Sequence, residues 1–531
     1  MKRIVSVLLA SAMLLTLVSC SKAEETTKKK KKTKKTTEET EETTEEPTDE
    51  PTETTEEPTT TTTEESTAST TAPQGNPVQP LHSRVDRIDA GYGRHIDSNG
   101  EDYLERISII MDYIDITSDE VPELYAAVND VYDSLQLDLE STYDTMVKEL
   151  EEGKSPEWYS TSSYTELYRD DTYLFSFVML QNDKVPENHQ VAETHTYWSK
   201  TAEEVKLSDV ITDMDSVIPV VKEYVELCYW ADLMDELEPN LRDFSCPFTL
   251  SYDAIYFFYG NISIKIPIRD IPNSVNYSFF GMAPDEYFLE LDGKSSLQWD
   301  LDGDGVPEDF SVEGIYKNPN DPTLLTGLAI HHNGKDTVIE DEIIWGELHP
   351  SENCDYLMKS RDGIFLYVQV GVDEGRSYVI LEYKNGEWTN ASKFENDAIF
   401  YARPYDPQSV ILSTSSILPM YWWYSFYTLE GHPTDPQFET ILYYGMTWLF
   451  EAKTDIPCYR LDDDFNVTGE EVIPQGSIIS LKMYDPEIDQ FLISVCHADY
   501  MEDYYVTVDV NDNYPYDISG IPLEDALNGL Y

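Results

Sequence analysis

Along most of the chain, apolar positions come in short runs separated by Gly, Pro, Asn and Asp. Alternating or continuous apolar stretches predict strands at Arg106–Met111, Tyr173–Met179, Val205–Val210, Phe248–Leu250, Ile255–Phe258 and Ile262–Ile266. Two stretches instead keep a spacing of three to four. After Asp119 the apolar positions are Val121, Leu124, Val128, Val131 and Leu135. After Asp213 they are Val217, Val220, Val221, Tyr224 and Leu227. Each predicts a helix with one core-facing side. Strands and helices mixed in this irregular order predict an α+β domain over 82–269.

Further along, helical spacing disappears and a β-rich region is expected over 273–450. Its strands are expected at Thr323–His332, Gly363–Val370 and Ser377–Tyr383, and Asn385-Gly386 is a hairpin signal. Propeller-like and sandwich arrangements fit equally well. Met420–Tyr427 is the densest aromatic run. It reads as a strand buried in a β core, with glycan contact as the alternative. In 451–531, short strands surround the turn Pro474-Gln475-Gly476-Ser477, and a short helix follows at Glu524–Leu527. This last segment resembles the small SH3-like β barrels of bacterial wall proteins.

The first 80 residues follow neither pattern. Met1-Lys2-Arg3 precedes an apolar run from Ile4 to Leu17, and Leu17-Val18-Ser19-Cys20 follows. A positive start, an apolar middle and a small residue are the parts of a secretory signal. The run is short of the ~20 residues a membrane span needs. The four residues ending at Cys20 resemble the lipobox of bacterial lipoproteins. The resemblance implies cleavage before Cys20 and lipid (palmitate-type) acylation of that cysteine, which anchors the chain on the extracellular face of a Gram-positive cell membrane. Residues 21–80 are nearly all Thr, Glu, Lys and Pro. Such a composition buries too little to fold, so a disordered linker is expected. Lys28–Lys32, Lys34 and Lys35 lie near the anchor, where an anionic bilayer would attract them.

Charge narrows the partners. Lys plus Arg number 36 and Asp plus Glu 102; residues 1–78 hold 10 and 15 of these, leaving 26 against 87, a net of −61. A body so charged repels nucleic acid and anionic lipid and attracts cations and cationic proteins. Beyond Cys20, the five cysteines are odd in number and widely spaced, so no dense disulfide framework is expected. Cys228 with Cys246 and Cys458 with Cys496 are the conceivable pairs, and buried free thiols are favoured.

The sharpest motif is Asp300-Leu301-Asp302-Gly303-Asp304-Gly305-Val306-Pro307-Glu308-Asp309. Oxygen ligands at alternate positions converge on one ion, a glycine at the sixth position allows the sharp turn, and the backbone carbonyl at the seventh adds a ligand. The candidate Ca²⁺ ligands are therefore Asp300, Asp302, Asp304, the Val306 carbonyl, and Glu308 or Asp309 closing the shell. Ser311 at the twelfth position sets the loop apart from an EF-hand. It resembles the D-x-D-G-D-G loops of calcium-binding β-propellers. The competing reading is an acidic turn held by Asx hydrogen bonds.

Asp170-Asp171-Thr172-Tyr173-Leu174-Phe175-Ser176-Phe177, the return through Tyr197 to Leu207-Ser208-Asp209-Val210, and the strands Phe248–Leu250, Ala254–Phe257 and Ile264–Pro267 carry a second resemblance. They are similar to the extracellular domain, of unknown function, of RsiV-type anti-sigma factors and PdaC-type peptidoglycan deacetylases. In the former that domain binds lysozyme. The family's Gly-Gly-containing turn is replaced here by Asn188–His195, which reads as a loop.

No G-x-S-x-G, H-E-x-x-H, P-loop or Rossmann pattern is present. His331-His332 lacks a spaced third ligand, and His189 with His195 is a weak metal pair. The expectation is a non-enzymatic binding module at the cell envelope, for a lysozyme-like cationic protein or for peptidoglycan. The alternative is a wall-modifying hydrolase whose carboxylate pair only geometry would reveal.

Overall fold

The structure, a computed structural model, describes residues 78–528 apart from short stretches, of which 341–354 is the longest. Cys20 and the linker up to residue 77 lie outside the described residues. Most of the described chain is β-strand, arranged in several sheets, with few helices.

The first sheet runs β1 (Arg84–Ser98), β2 (Glu101–Asp115), β3 (Trp158–Asp170), β4 (Leu174–Asp183) and β5 (His189–Trp198), in that order. β2 and β3 are parallel, which requires a crossover, and α1 (Pro122–Glu151) supplies it. Pro122 opens the helix where a missing N–H costs nothing; Asp119 lies outside the described residues. Val121, Leu124 and Val128 are buried against Phe175, Phe177 and Met179 of β4, with Val131 and Leu135 at the margin. The three-to-four spacing therefore maps onto one packed face.

Leu207–Val210, expected as part of an extended piece, is one helical turn, α2. Leu207 and Val210, three apart, both turn inward, and the Asp209 carboxylate accepts the Lys206 N–H at 3.1 Å. In α3 (Met214–Cys228), Val217, Val221 and Tyr224 are buried as expected, but Leu227 is 53% exposed. The inward stripe runs through Met214, Ile218 and Val225, and Leu227 falls beside it. α4 (Leu233–Arg242) and α3 pack with the three-stranded sheet β6 (Phe248–Leu250), β7 (Ala254–Tyr259) and β8 (Ile262–Pro267).

β9 (Tyr287–Glu290) leads into β10 (Ser296–Trp299), β11 (Glu308–Asn318), β12 (Asp321–His332) and β13 (Lys335–Glu340), a four-stranded sheet. β14 (Tyr356–Ser360), β15 (Gly363–Val370), β16 (Ser377–Lys384) and β17 (Glu387–Lys393) form another, with β9 at its margin. The two share a core: Leu297, Phe310, Leu328 and Ile330 meet Leu357, Leu366, Leu381 and Trp388. Asn385 and Gly386, at φ of 54° and 81°, join β16 to β17 as the sequence predicts. Asn333-Gly334 does the same between β12 and β13, a signal present in the sequence and not read there.

The remaining strands belong to one large sheet. They are β18 (Ile399–Phe400), β19 (Val410–Ser415), β20 (Trp422–Thr428), β21 (Gln437–Phe438), β22 (Leu442–Tyr444), β23 (Leu449–Ala452), β24 (Ile456–Leu461), β25 (Val467–Ile473), β26 (Ile478–Asp485), β27 (Gln490–Cys496), β28 (Glu502–Asn511), β29 (Asp517–Ile518), β30 (Ile521–Pro522) and β31 (Leu527–Asn528). The short helix α5 (Leu523–Ala526) falls where the C-terminal helix is expected. β22 pairs with β26, so hydrogen bonding runs across residue 450. Among the described residues no sheet closes into a barrel. The aromatic run lies largely in β20, where Tyr427 is buried; the side chains of Tyr421 to Ser425 lie outside the described residues.

A buried ionic group ties these sheets together. Arg403 donates to Glu290 and, at 2.8 Å, to the Tyr256 hydroxyl, and its guanidinium lies 4.1 Å from the Tyr168 ring centre. Lys265 pairs with Asp253 at 2.9 Å and donates to the Glu290 carbonyl. β3, β7, β8, β9 and the segment after β18 thus meet at one place. Removing one partner of a buried pair strands the other charge, at a cost of about 3–5 kcal/mol. Arg403→Met is expected to lower unfolding stability in urea by about that much, and Arg403→Met with Glu290→Gln to recover part of it.

Candidate functional site

The acidic loop is the connection between β10 and β11, whose last register pair is Trp299 with Glu308. Gly303 and Gly305 sit at φ of 79° and 86°, where a side chain would be strained, and so the loop folds back on itself. The Asp300 carboxylate accepts the N–H groups of Gly303 at 2.7 Å and Gly305 at 2.9 Å. Asp302 accepts Asp304 N–H at 3.1 Å, and Asp304 accepts Val306 N–H at 2.7 Å. These donors offset part of the repulsion between the acids. One oxygen from each of Asp300, Asp302 and Asp304 lies within 4.8 Å of the others, close enough to share a hard cation with ligand distances of about 2.3–2.6 Å.

The other candidates stand differently. Glu308 is buried, and its carboxylate accepts the Leu301 N–H at 2.6 Å. Asp309 points to the opposite side of β11 and accepts from the Gln298 side chain at 2.9 Å. Neither joins the triad, because β11 begins at Glu308 and strand alternation takes over there. Val306 is 63% exposed.

The histidines do not form a metal pair. His189 and His195, expected in a loop, both lie in β5. Six steps along the strand set their backbones about 20 Å apart, too far to share an ion. The His195 ring bonds the Tyr197 hydroxyl at 3.0 Å and Glu193 at 3.2 Å. His331 bonds Asp336 at 2.8 Å and Glu313 at 3.2 Å, which holds its imidazole above the usual range. His332 is buried edge-on against Tyr383. Cys228, Cys246 and Cys458 are free, so neither conceivable disulfide forms. Burial pushes the Cys246 thiol up to about 12 and the Cys458 thiol up to about 11, which removes them as ready nucleophiles.

Sequence reasoning misses a cluster at the start of the folded body. Asp170 accepts the Ser83 N–H at 2.9 Å and its hydroxyl at 2.7 Å. The His82 ring bonds Asp406 at 2.7 Å, and Tyr405 donates to the Ser83 carbonyl at 2.9 Å. Burial outweighs the Ser83 donors and pushes Asp170 up to about 7, with Asp406 and Asp171 adding like charge. Burial likewise lifts Asp355 to about 7. The hydrogen bond to Asp406 raises His82. Partners 324 residues apart leave no local signal in the sequence.

No family model and no curated protein matches the chain. Solved structures of DUF3298 family proteins are similar to part of it. One, from Pseudomonas aeruginosa PAO1, is 12% identical with a TM-score of 0.26, over 38% of this chain and 97% of that one. Another, from Bacteroides fragilis NCTC 9343, is 14% identical with a TM-score of 0.24, over 37% and 96%. Likeness at this level bears on neither activity nor partner. Among the described residues no helix is long and apolar enough to cross a membrane.

The raised groups set a pH dependence. Folded Asp170, Asp355 and His82 hold protons that the unfolded chain releases at lower pH. Each therefore contributes stability that is present in acid. For the carboxylates it is lost as pH climbs from about 4 to about 7, and for His82 as pH passes its raised value. The slope is at most about 1.4 kcal/mol per pH unit for each group. Thermal unfolding is expected at higher temperature at pH 5 than at pH 8, with a smaller difference in Asp170→Asn. An unchanged difference in that variant would remove Asp170 from the account.

Proposed function

We propose that the chain is a cell-envelope lipoprotein, held through Cys20, whose folded body binds a cationic protein of lysozyme type or a cell-wall component. One observation carries this reading: the folded body keeps its large excess of acid over base, because its buried bases are matched by buried acids. Arg169 is fully buried against Asp171 at 2.7 Å, Lys265 against Asp253, and Arg403 beside Glu290, while the net of −61 beyond residue 78 remains. The body beyond residue 78 is thus one-sidedly acidic, and a field of one sign draws in ligands of the other. The β26–β27–β28 meander, flanked by β23 and β24, supports an SH3-like reading of the C-terminal segment.

Within this reading Asp300, Asp302 and Asp304 hold a structural Ca²⁺. Extracellular modules bind the ion with dissociation constants of about 10⁻⁴–10⁻³ M, and three carboxylates with a backbone carbonyl suit that range. Calorimetric titration with Ca²⁺ is expected to give a site in that range, weakened about tenfold or more by Asp302→Asn. Heat identical in the variant would mean the loop is only a turn.

For the partner, the decisive measurement is binding of the full chain to lysozyme at low salt and at about 0.5 M salt, where long-range attraction is mostly screened. Binding is expected to weaken and survive. Complete loss at high salt would reduce the interaction to an acidic protein meeting a basic one and turn the search to wall glycans.

A further inference from the structure

β25 ends the largest sheet, and among the described residues no strand is bonded to its far side. Every residue from Asn466 to Val472 is exposed, so both faces of the strand and its outer edge are open to water; Ile473 is buried. The strand keeps its place through β24 alone. Thr468 is bulged out of the register, and from Gly469 to Ile473 the pairing is regular.

That register tells which backbone groups look outward. Pro457, which has no N–H, lies opposite Val472. This suits a pair whose backbone groups point away from each other. Alternation then turns the N–H and C=O of Glu470 and Val472 to water, and those of Gly469 and Glu471 toward β24. Sheet edges are ordinarily blunted by Lys or Pro, and 467–473 contains neither. The strand carries Glu470 and Glu471 instead, on opposite faces, with Asp462 at the end of the hairpin. On β24, Arg460 stands opposite Gly469, 3.7 Å from Glu471 and stacked over Tyr504. Two copies joined edge to edge would set these acids against each other, and like charges facing across strands destabilise.

We propose that the free edge of β25 receives an extended, cationic segment of a partner protein as an added strand. Main-chain bonds to Glu470 and Val472 would hold the segment, and Glu470 and Glu471 would select its Lys or Arg side chains. The inference rests on the acidic-binding reading above and gives it a place and a mode.

The test uses the full chain and a fluorescent octapeptide of alternating Lys and Val. Val472→Pro removes an outward N–H without changing charge or the β24 bonds. Glu470→Lys with Glu471→Lys reverses the local charge. Glu203→Lys with Glu204→Lys reverses exposed charge elsewhere. Each of the first two is expected to weaken binding about tenfold or more, and the third to leave it nearly intact. If Val472→Pro and the Glu470/Glu471 variant bind as the parent does, the edge assignment falls while the acidic reading stands. If the two charge reversals weaken binding equally and Val472→Pro does not, the attraction is diffuse and the edge assignment falls. If the full chain does not bind the peptide, or self-associates through an interface that the Glu470/Glu471 reversal disrupts, the proposed occupant is wrong. Should Val472→Pro fail to fold, the two charge reversals still decide, because all four positions are exposed.

Discussion

The arrangement hangs on a few charges that water cannot reach. Arg403, Glu290, Lys265 and Asp253 are nearly all removed from solvent and sit where β7, β8 and β9 converge. Taking such ions out of water is expensive, and the cost is offset only when every partner arrives with good geometry. Tyr256 helps by bonding both Arg403 and Glu290. A similar group surrounds Arg169, whose side chain bonds Asp171 and the carbonyls of Phe279 and Met282. Apolar burial would tolerate many relative placements of these sheets. Paired buried ions tolerate few, so they select one.

What could be read from the sequence divides along the same line. Local signals held: the helical spacing after Val121, the closing strands Phe248–Leu250 and Ile262–Ile266 and the Asn385-Gly386 turn. Each depends on neighbours within a few residues. The failures lie where distant partners decide. Nothing near His195 says that it will be strand, because β5 is fixed by pairing with β4. Leu207–Val210 carries both a strand-like and a helical pattern, and packing on the α3 side chose the helix. Glu308, at the sequence position of a ligand, takes the register position of a strand residue and accepts the Leu301 N–H.

The acid excess also shapes stability. A body with this net charge repels itself near neutrality, and protons relieve that repulsion. Asp170 and Asp355 work in the same direction from inside. The acidic loop adds a local version of the problem, since its three carboxylates crowd together with only backbone donors between them.

The clasp between His82 and Asp406, and between Ser83 and Tyr405, spans over three hundred residues. A ribosome makes residue 82 long before residue 406, at about 5–20 residues per second. Through that interval Leu81 and Ser83 have only part of their final surroundings, and Glu290 and Lys265 wait for Arg403 in the same way. Loop closures of this length also slow folding after synthesis ends. The chain is consequently built to mature late: its earliest folded residues reach their final partners only after three quarters of it has been made.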